Sequence, residues 1–222
     1  DIPIESLLGR RLAAPVIGAF DLPRVDVSAM DGWAVRSGDL STAAPGSPVA
    51  LKVIGDAAAG RSGSELVVAE GGCARIATGA PIPRGADAVV VVEATSLARP
   101  DRGATLLERS PGELPPKVWF TSGVRSGAAI RRRGEDVRVG AQLLGEGAEL
   151  DPAAIAVLAG SGSEVVILHR RPRVGIICSG EEIGTDADAR VAIPDSNGPM
   201  LEAMIVAAGG TVVARRQVGD SL

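Results

Sequence analysis

The stretch Arg173-Val174-Gly175-Ile176-Ile177-Cys178-Ser179-Gly180-Glu181-Glu182 runs from a β-branched apolar segment straight into a glycine and two acids. Residues 174–178 read as a buried-type strand, because a short apolar run bounded by turn signals fits a parallel sheet. A helix follows. Asn197-Gly198-Pro199 opens it, and Met200, Leu201, Met204 and Ile205 fall on one face. Gly209-Gly210 closes it, where glycine is favoured, and residues 211–215 form the next strand. This is a βαβ unit. Two parallel strands and one helix cannot cover both faces of a sheet. Residues 171–222 are therefore expected to be an incomplete α/β domain, and the chain a fragment that is inactive by itself.

Working back from that unit, the texture changes. Residues 165–168 are a β-branched strand candidate, followed by a basic, proline-containing joint at 170–173. Asp151-Pro152 reads as a helix N-cap and first helical residue, with Ile155, Leu158 and Ala159 on the apolar face and Gly160 and Gly162 at the end. From about residue 40 to 125 short apolar runs at 49–54, 74–76, 88–93 and 104–107 alternate with Gly, Pro and Asp, the pattern of a small all-β module. Residues 111–116 look like a stiff connector. Residues 125–150 keep hairpin character at 128–131 and 142–144. At the amino end Ile4, Leu7, Leu8 and Leu12 have helical spacing limited by Gly9 and Pro15, and 25–29 is a short strand. The fold class is mixed α and β. A mainly β N-terminal region of bent sheets (1–40 and 126–170), carrying an inserted small β module (41–125), precedes the beginning of an α/β parallel-sheet domain (171–222).

Composition narrows the function. Aromatic residues are 2% of the 222, without a single Tyr, so stacking platforms for single-stranded nucleic acid are lacking. A net charge of -4 argues against a phosphate-backbone binder. Cys73 and Cys178 lie far apart with no C-x-x-C, which leaves no thiolate zinc site and suits a reducing, cytoplasmic setting. No apolar run approaches the roughly 18 residues needed to span a bilayer. No nucleic acid and no membrane partner is expected.

Chemistry concentrates in five short segments that each carry acidic or hydroxyl groups: Ser28-Ala29-Met30-Asp31-Gly32-Trp33, Thr78-Gly79-Ala80-Pro81-Ile82-Pro83, Gly134-Glu135-Asp136, Ser179-Gly180-Glu181-Glu182 and Asp195-Ser196-Asn197-Gly198. Turns and strand ends are where side chains escape the core. In a βαβ unit Glu181, Glu182 and Asp220 follow strands on the edge where open α/β sheets bind ligands, and carboxylates there suit Mg²⁺ bridged to phosphates. Taken singly, each of these acids is as well read as a solvated loop residue or a cap. Asp31-Gly32 alone is a turn signal, and the two prolines after Gly79 also suit a rigid hairpin loop. Arg131-Arg132-Arg133 could steer an anion, although charge runs are usually solvated faces. His169, the only histidine, is given a structural or surface role.

Three stretches together settle a resemblance. Residues 26–36 (Asp-Val-Ser-Ala-Met-Asp-Gly-Trp-Ala-Val-Arg), 75–89 around Thr78-Gly79-Ala80-Pro81-Ile82-Pro83, and Arg133-Gly134-Glu135-Asp136 resemble the molybdopterin molybdenumtransferase family (MoeA and the gephyrin E domain). Arg171-Pro172-Arg173-Val174, Ser179-Gly180-Glu181-Glu182 and Asp195-Ser196-Asn197 continue the match in order. The resemblance implies an enzyme of molybdenum cofactor biosynthesis. It would cleave adenylylated molybdopterin, release AMP and insert molybdenum from molybdate, with Mg²⁺ as cofactor. It also implies a homodimer whose active site lies between subunits, supplied by a molybdopterin adenylyltransferase. By position, Asp31, Thr78, Asp136 and Glu182 match catalytic residues; Ser179, Gly180, Asp195, Ser196 and Asn197 match substrate-binding ones; Glu182 and Asp220 match the metal ligands. Trp33 stands where the family usually has Tyr, removing a hydroxyl from the rim, and Ser179 and Glu181 replace Thr and Asp. An alternative is a non-catalytic dimerisation or scaffold protein of the same family. A tungsten-handling or regulatory paralogue is not separable by sequence.

Overall fold

The computed structural model describes residues 4–60, 66–100, 107, 112–163, 165–180, 182–183 and 193–219. In chain order the strands are β1 (Val16–Ile17), β2 (Val27–Ser28), β3 (Gly32–Val35), β4 (Val49–Ala57), β5 (Gly72–Ile76), β6 (Ala88–Val91), β7 (Thr95–Ser96), β8 (Lys117–Phe120), β9 (Ile130–Arg131), β10 (Gln142–Leu144), β11 (Arg173–Ser179) and β12 (Thr211–Val218). Two α-helices, α1 (Pro152–Ser161) and α2 (Asn197–Ala207), and short 3₁₀ turns at Ile4–Leu7, Ser37–Leu40 and Val92–Ala94 are also described. The protein is thus mixed α and β, and mainly β. The contacts gather it into two units, residues 20–139 and residues 1–19 with 140–222.

In the 20–139 unit a six-stranded sheet has the order β6-β3-β5-β4-β8-β7. All neighbours are antiparallel except β4 and β5. Gly32-Trp33-Ala34-Val35 lies deep in this sheet, and all four residues are buried. Side chains alternate across a strand. Trp33 and Val35 therefore join Leu51, Cys73, Val118 and Phe120 in one core, while Ala34 joins Ala57, Ile76, Ala80 and Val89 in another. The Trp33 indole N–H donates to Thr95 Oγ1 at 3.1 Å, and that hydroxyl donates to the Val92 carbonyl at 2.7 Å. Gly32 is required sterically, because a Cβ there would stand 2.1 Å from the Val90 carbonyl oxygen. Since β3 pairs with both β5 and β6, the sheet draws strands from either side of residue 40. Of the strand expected at 104–107 only Leu107 is described; its N–H donates to the Thr95 carbonyl at 2.7 Å.

In the other unit β1 pairs with β10, and Leu7, Leu12, Val16, Leu150, Ala154 and Leu158 form a third core. The amino-terminal pattern is only a 3₁₀ turn, Ile4–Leu7, with Leu8 exposed. α1 begins as its sequence predicts: Asp151 accepts from the Ala154 N–H at 2.7 Å, and Pro152 needs no partner. It ends at Ser161, one residue past Gly160, and Gly162 with φ 72° is its C-cap. The buried face is Ala154, Leu158 and Ser161, not Ala159. Residues 165–168 form no strand. Leu168 makes one isolated bridge to Leu12, and Val165 is 79% exposed.

β11 and β12 are parallel, with α2 between them in sequence and packed against both. β11 is buried on alternate residues rather than throughout: Ile176 and Cys178 are covered while Ile177 is 71% exposed. The apolar helix residues Met200, Leu201 and Met204 are likewise exposed. Among the described residues no helix is long and apolar enough to cross a membrane.

Candidate functional site

Asp31 and Thr78, 47 residues apart, meet because β2 is lined on one side by the loop after β5. Ser28 N–H donates to the Ala80 carbonyl at 2.9 Å, Gly79 N–H returns to the Ser28 carbonyl at 2.8 Å, and Val27 bridges Pro81. Gly79 adopts φ 78°, a conformation that favours glycine, in a turn closed by the Ala80 N–H on the Ala77 carbonyl at 3.0 Å, which leaves Thr78 at the tip. Asp31 Oδ1 accepts from both the Thr78 N–H (2.7 Å) and the Thr78 hydroxyl (2.8 Å). Those two donors, the backbone one foremost, hold the Asp31 carboxyl below the ordinary carboxylate range. It is an anion at neutral pH. Both residues are exposed, and Asp31 Oδ2 has no partner among the described residues, so a carboxylate oxygen and the Thr78 lone pairs remain open to a ligand. Trp33 is not on this rim. It is fully buried, so its exchange for Tyr concerns the core and its Thr95 partner.

β9 flanks the other side of β2, with Val27 opposite Arg131. The run that follows does not present free cations. Arg131 pairs with Glu135 at 3.3 Å and with Asp136; Arg132 pairs with Asp26 at 2.6 Å; Arg133 pairs with Asp21 at 2.5 Å. This corrects the anion-steering expectation for the arginine run. Asp136 is exposed and engaged by Arg131, with no described contact to Asp31 or Thr78. Backbone donors hold Asp21 (Val139 N–H) and Asp26 (Arg133 N–H) below their ordinary values, assisted by the arginines. These anchors were missed in the sequence, since pairs 106 to 112 residues apart leave no local signal.

In the βαβ unit, Ser179 is exposed at the end of β11, and Gly180 is buried with its N–H on the Val218 carbonyl at 3.3 Å. Glu182 folds back over Gly180: its carboxylate oxygens lie 2.9 and 3.0 Å from where a Cβ on that glycine would be. Asp195 caps α2 by accepting from the Gly198 N–H at 2.8 Å, and Ser196 and Asn197 are exposed beside it. Ile183 and Ile193 bridge, and the Ile193 N–H donates to the Glu182 carbonyl at 2.8 Å, so the chain leading to Asp195 starts beside Glu182. Glu181 and Asp220 lie outside the described residues. No three His, Cys, Asp or Glu residues among those described converge on one ion. The oxygen-only donors and the Glu182 carboxylate, unpaired among the described residues, nonetheless suit Mg²⁺, which typically takes one or two carboxylates plus substrate phosphates.

Comparison with known proteins decides the family. Residues 1–162 match the family model of the MoeA N-terminal region (domain I and II). The chain belongs to the MoeA family. It is 36% identical over 223 residues to "Molybdopterin molybdenumtransferase 2" of Mycobacterium tuberculosis, covering 100% of this chain and 51% of that protein. It is 34% identical over 205 residues to the molybdopterin molybdenumtransferase of Staphylococcus aureus, covering 91% and 45%. The crystal structure of a molybdopterin biosynthesis moeA protein from Pyrococcus horikoshii OT3 superposes with a TM-score of 0.82 at 28% identity, over 99% of this chain and 55% of the other. The chain thus spans about half the length of the curated MoeA relatives that it matches.

Proposed function

We propose that this chain is the amino-terminal part of a molybdopterin molybdenumtransferase, acting in molybdenum cofactor biosynthesis. The observation that carries the reading is the Asp31–Thr78 pair: an ionised carboxylate, fixed by two donors, with one oxygen open. The substrates are adenylylated molybdopterin and molybdate, and AMP is released. Both reactants are anions, so attack on the phosphoanhydride needs positioning and charge screening more than proton chemistry. Asp31 Oδ2 accepts a hydrogen bond from the attacking water or from a hydrated cation, and the Thr78 hydroxyl, whose proton is on Asp31, accepts another. Glu182, with Asp220, would hold Mg²⁺, which supplies charge neutralisation at the phosphates. Ser179, Gly180, Asp195, Ser196 and Asn197 form the substrate edge, and Asp136 contributes through its pair with Arg131. The enzyme is read as a cytoplasmic homodimer receiving its substrate from a molybdopterin adenylyltransferase.

The test is a reconstitution with the full-length protein, adenylylated pterin and molybdate, following AMP release. Asp31→Asn keeps the shape and removes the charge; a fall on the order of 10²-fold is expected, comparable to losing one positioned polar group. AMP release at the unaltered rate in that variant would remove Asp31 from the reaction.

A further inference from the structure

A second site lies wholly within the unit formed by residues 1–19 and 140–222. There Arg10 and Arg11, beside Gly9, line with His169, Arg170, Arg171 and Gly209 a cavity of about 230 Å³. Chain pairing makes this juxtaposition, since the His169 N–H donates to the Arg11 carbonyl at 2.9 Å. Arg10 is then held in place: its Nη2 donates to the His169 carbonyl at 2.8 Å, 159 residues away. Arg11 is engaged by Glu149 at 2.7 Å and by the Gly147 carbonyl at 3.2 Å. Arg10, Arg170 and Arg171 have no carboxylate partner among the described residues. Three guanidinium groups around one concavity repel one another, and they do so in a chain whose net charge is -4. The carboxyl end of α2, which carries partial negative charge, also reaches this cavity. Three of its last four carbonyls are already satisfied: Met204, Ile205 and Val206 accept from the N–H groups of Ala208, Gly210 and Gly209. The dipole opposes an anion only weakly there.

We infer that this cleft binds a dianionic tetrahedral oxyanion, either free inorganic phosphate or the terminal phosphate of a monoester. Guanidinium forks match such oxygens two at a time. The cavity is smaller than the roughly 300–1,000 Å³ of sites that enclose a whole cofactor, which favours a small anion or one end of a larger ligand. The inference does not depend on the molybdenum reading above.

Isothermal titration of the full-length protein with inorganic phosphate, and separately with AMP, tests it against the double variant Arg170→Gln/Arg171→Gln. Both positions are exposed and carry no described hydrogen bond, so the variant is expected to keep the circular dichroism of the parent. The wild type should bind, with affinity falling as salt rises, and the variant should bind at least tenfold more weakly. AMP binding that is tighter than phosphate by tenfold or more and is weakened in the variant identifies a monoester ligand; equal binding of the two probes, weakened alike in the variant, identifies the free oxyanion. Equal affinity of wild type and variant for both probes, or no binding by either, overturns the inference. If the double variant misfolds, Arg171→Lys provides the reading: it keeps the charge and loses the fork, and an unchanged phosphate affinity then overturns the proposal.

Discussion

At the scale of single residues the site depends on one oxygen atom. Asp31 Oδ1 collects two donors from Thr78, and the folded carboxyl is more acidic than it is in an unfolded chain. The stabilisation this provides is therefore complete above the unfolded value, about pH 3.9, and fades as pH falls through the lower folded one. A carbon-13 NMR titration should place the Asp31 midpoint below about 3.9, and Thr78→Val, which deletes only the hydroxyl donor, should move it upward. Thr78→Ser should leave the midpoint where it is. Cys73 makes a second residue-scale case. Burial pushes its thiol up to about 12, so the thiolate is scarce at neutral pH. With Cys178 also buried, neither thiol should react with a maleimide until the protein is unfolded; rapid native labelling of Cys73 would contradict this burial.

Among the elements, those defined by local chemistry were readable in advance. Asp151-Pro152 specified the start of α1 because a cap and a proline act within one turn. Removing the cap by Asp151→Ala should cost about 1 kcal/mol, which lowers the melting temperature by about 2–4 °C in a chain of this size. The βαβ unit was readable for the same reason, through the glycines that end α2. Residues 165–168 show the opposite: a β-branched run predicts a strand, but its pairing with residues 11–13 amounts to one bridge, Leu168 to Leu12, with the Ala13 N–H on the Ile167 carbonyl and the His169 N–H on the Arg11 carbonyl, and Val165 stays exposed. The burial of β3 was also hidden, because flanking by β5 and β6 is decided by segments 40 to 60 residues away. In the site, Asp31 and Thr78 were recognisable as reactive types, whereas their meeting depends on β2 and the Gly79 turn. Gly32→Ala tests that tight centre. A methyl 2.1 Å from the Val90 oxygen forces β3 and β6 apart, with a loss on the order of 3 kcal/mol, in the tail for single substitutions. A stability within about 0.5 kcal/mol of wild type, measured by urea unfolding, would be incompatible with that packing.

For the whole molecule, the two units differ in how they bury apolar surface. Residues 20–139 enclose two cores on either side of one sheet. The unit also carries Asp21, Asp26 and Asp31, all held below their ordinary values by backbone donors, and Asp87, where burial pushes the carboxyl up but the Ser37 N–H and hydroxyl outweigh it. Protonating these groups withdraws support from the same unit, so acid unfolding followed by the fluorescence of Trp33 and Trp119, both in this unit, should show a transition below about pH 4. The βαβ part instead leaves Ile177, Met200 and Met204 largely in water. The 222-residue chain should accordingly bind a hydrophobic dye in its native state, whereas residues 20–139 expressed alone should not.

The chain enters and leaves the 20–139 unit at nearly the same point. Leu22 N–H meets the Val137 carbonyl at 2.7 Å, and Val139 N–H meets Asp21 at 2.8 Å. Just outside, the Gly140 N–H donates to the Gly18 carbonyl at 2.9 Å. Such a doorway lets a gene treat the six-stranded unit as a cassette. It can be lifted out and the cut sealed with a short glycine turn, or shuffled between relatives, without re-threading the surrounding host.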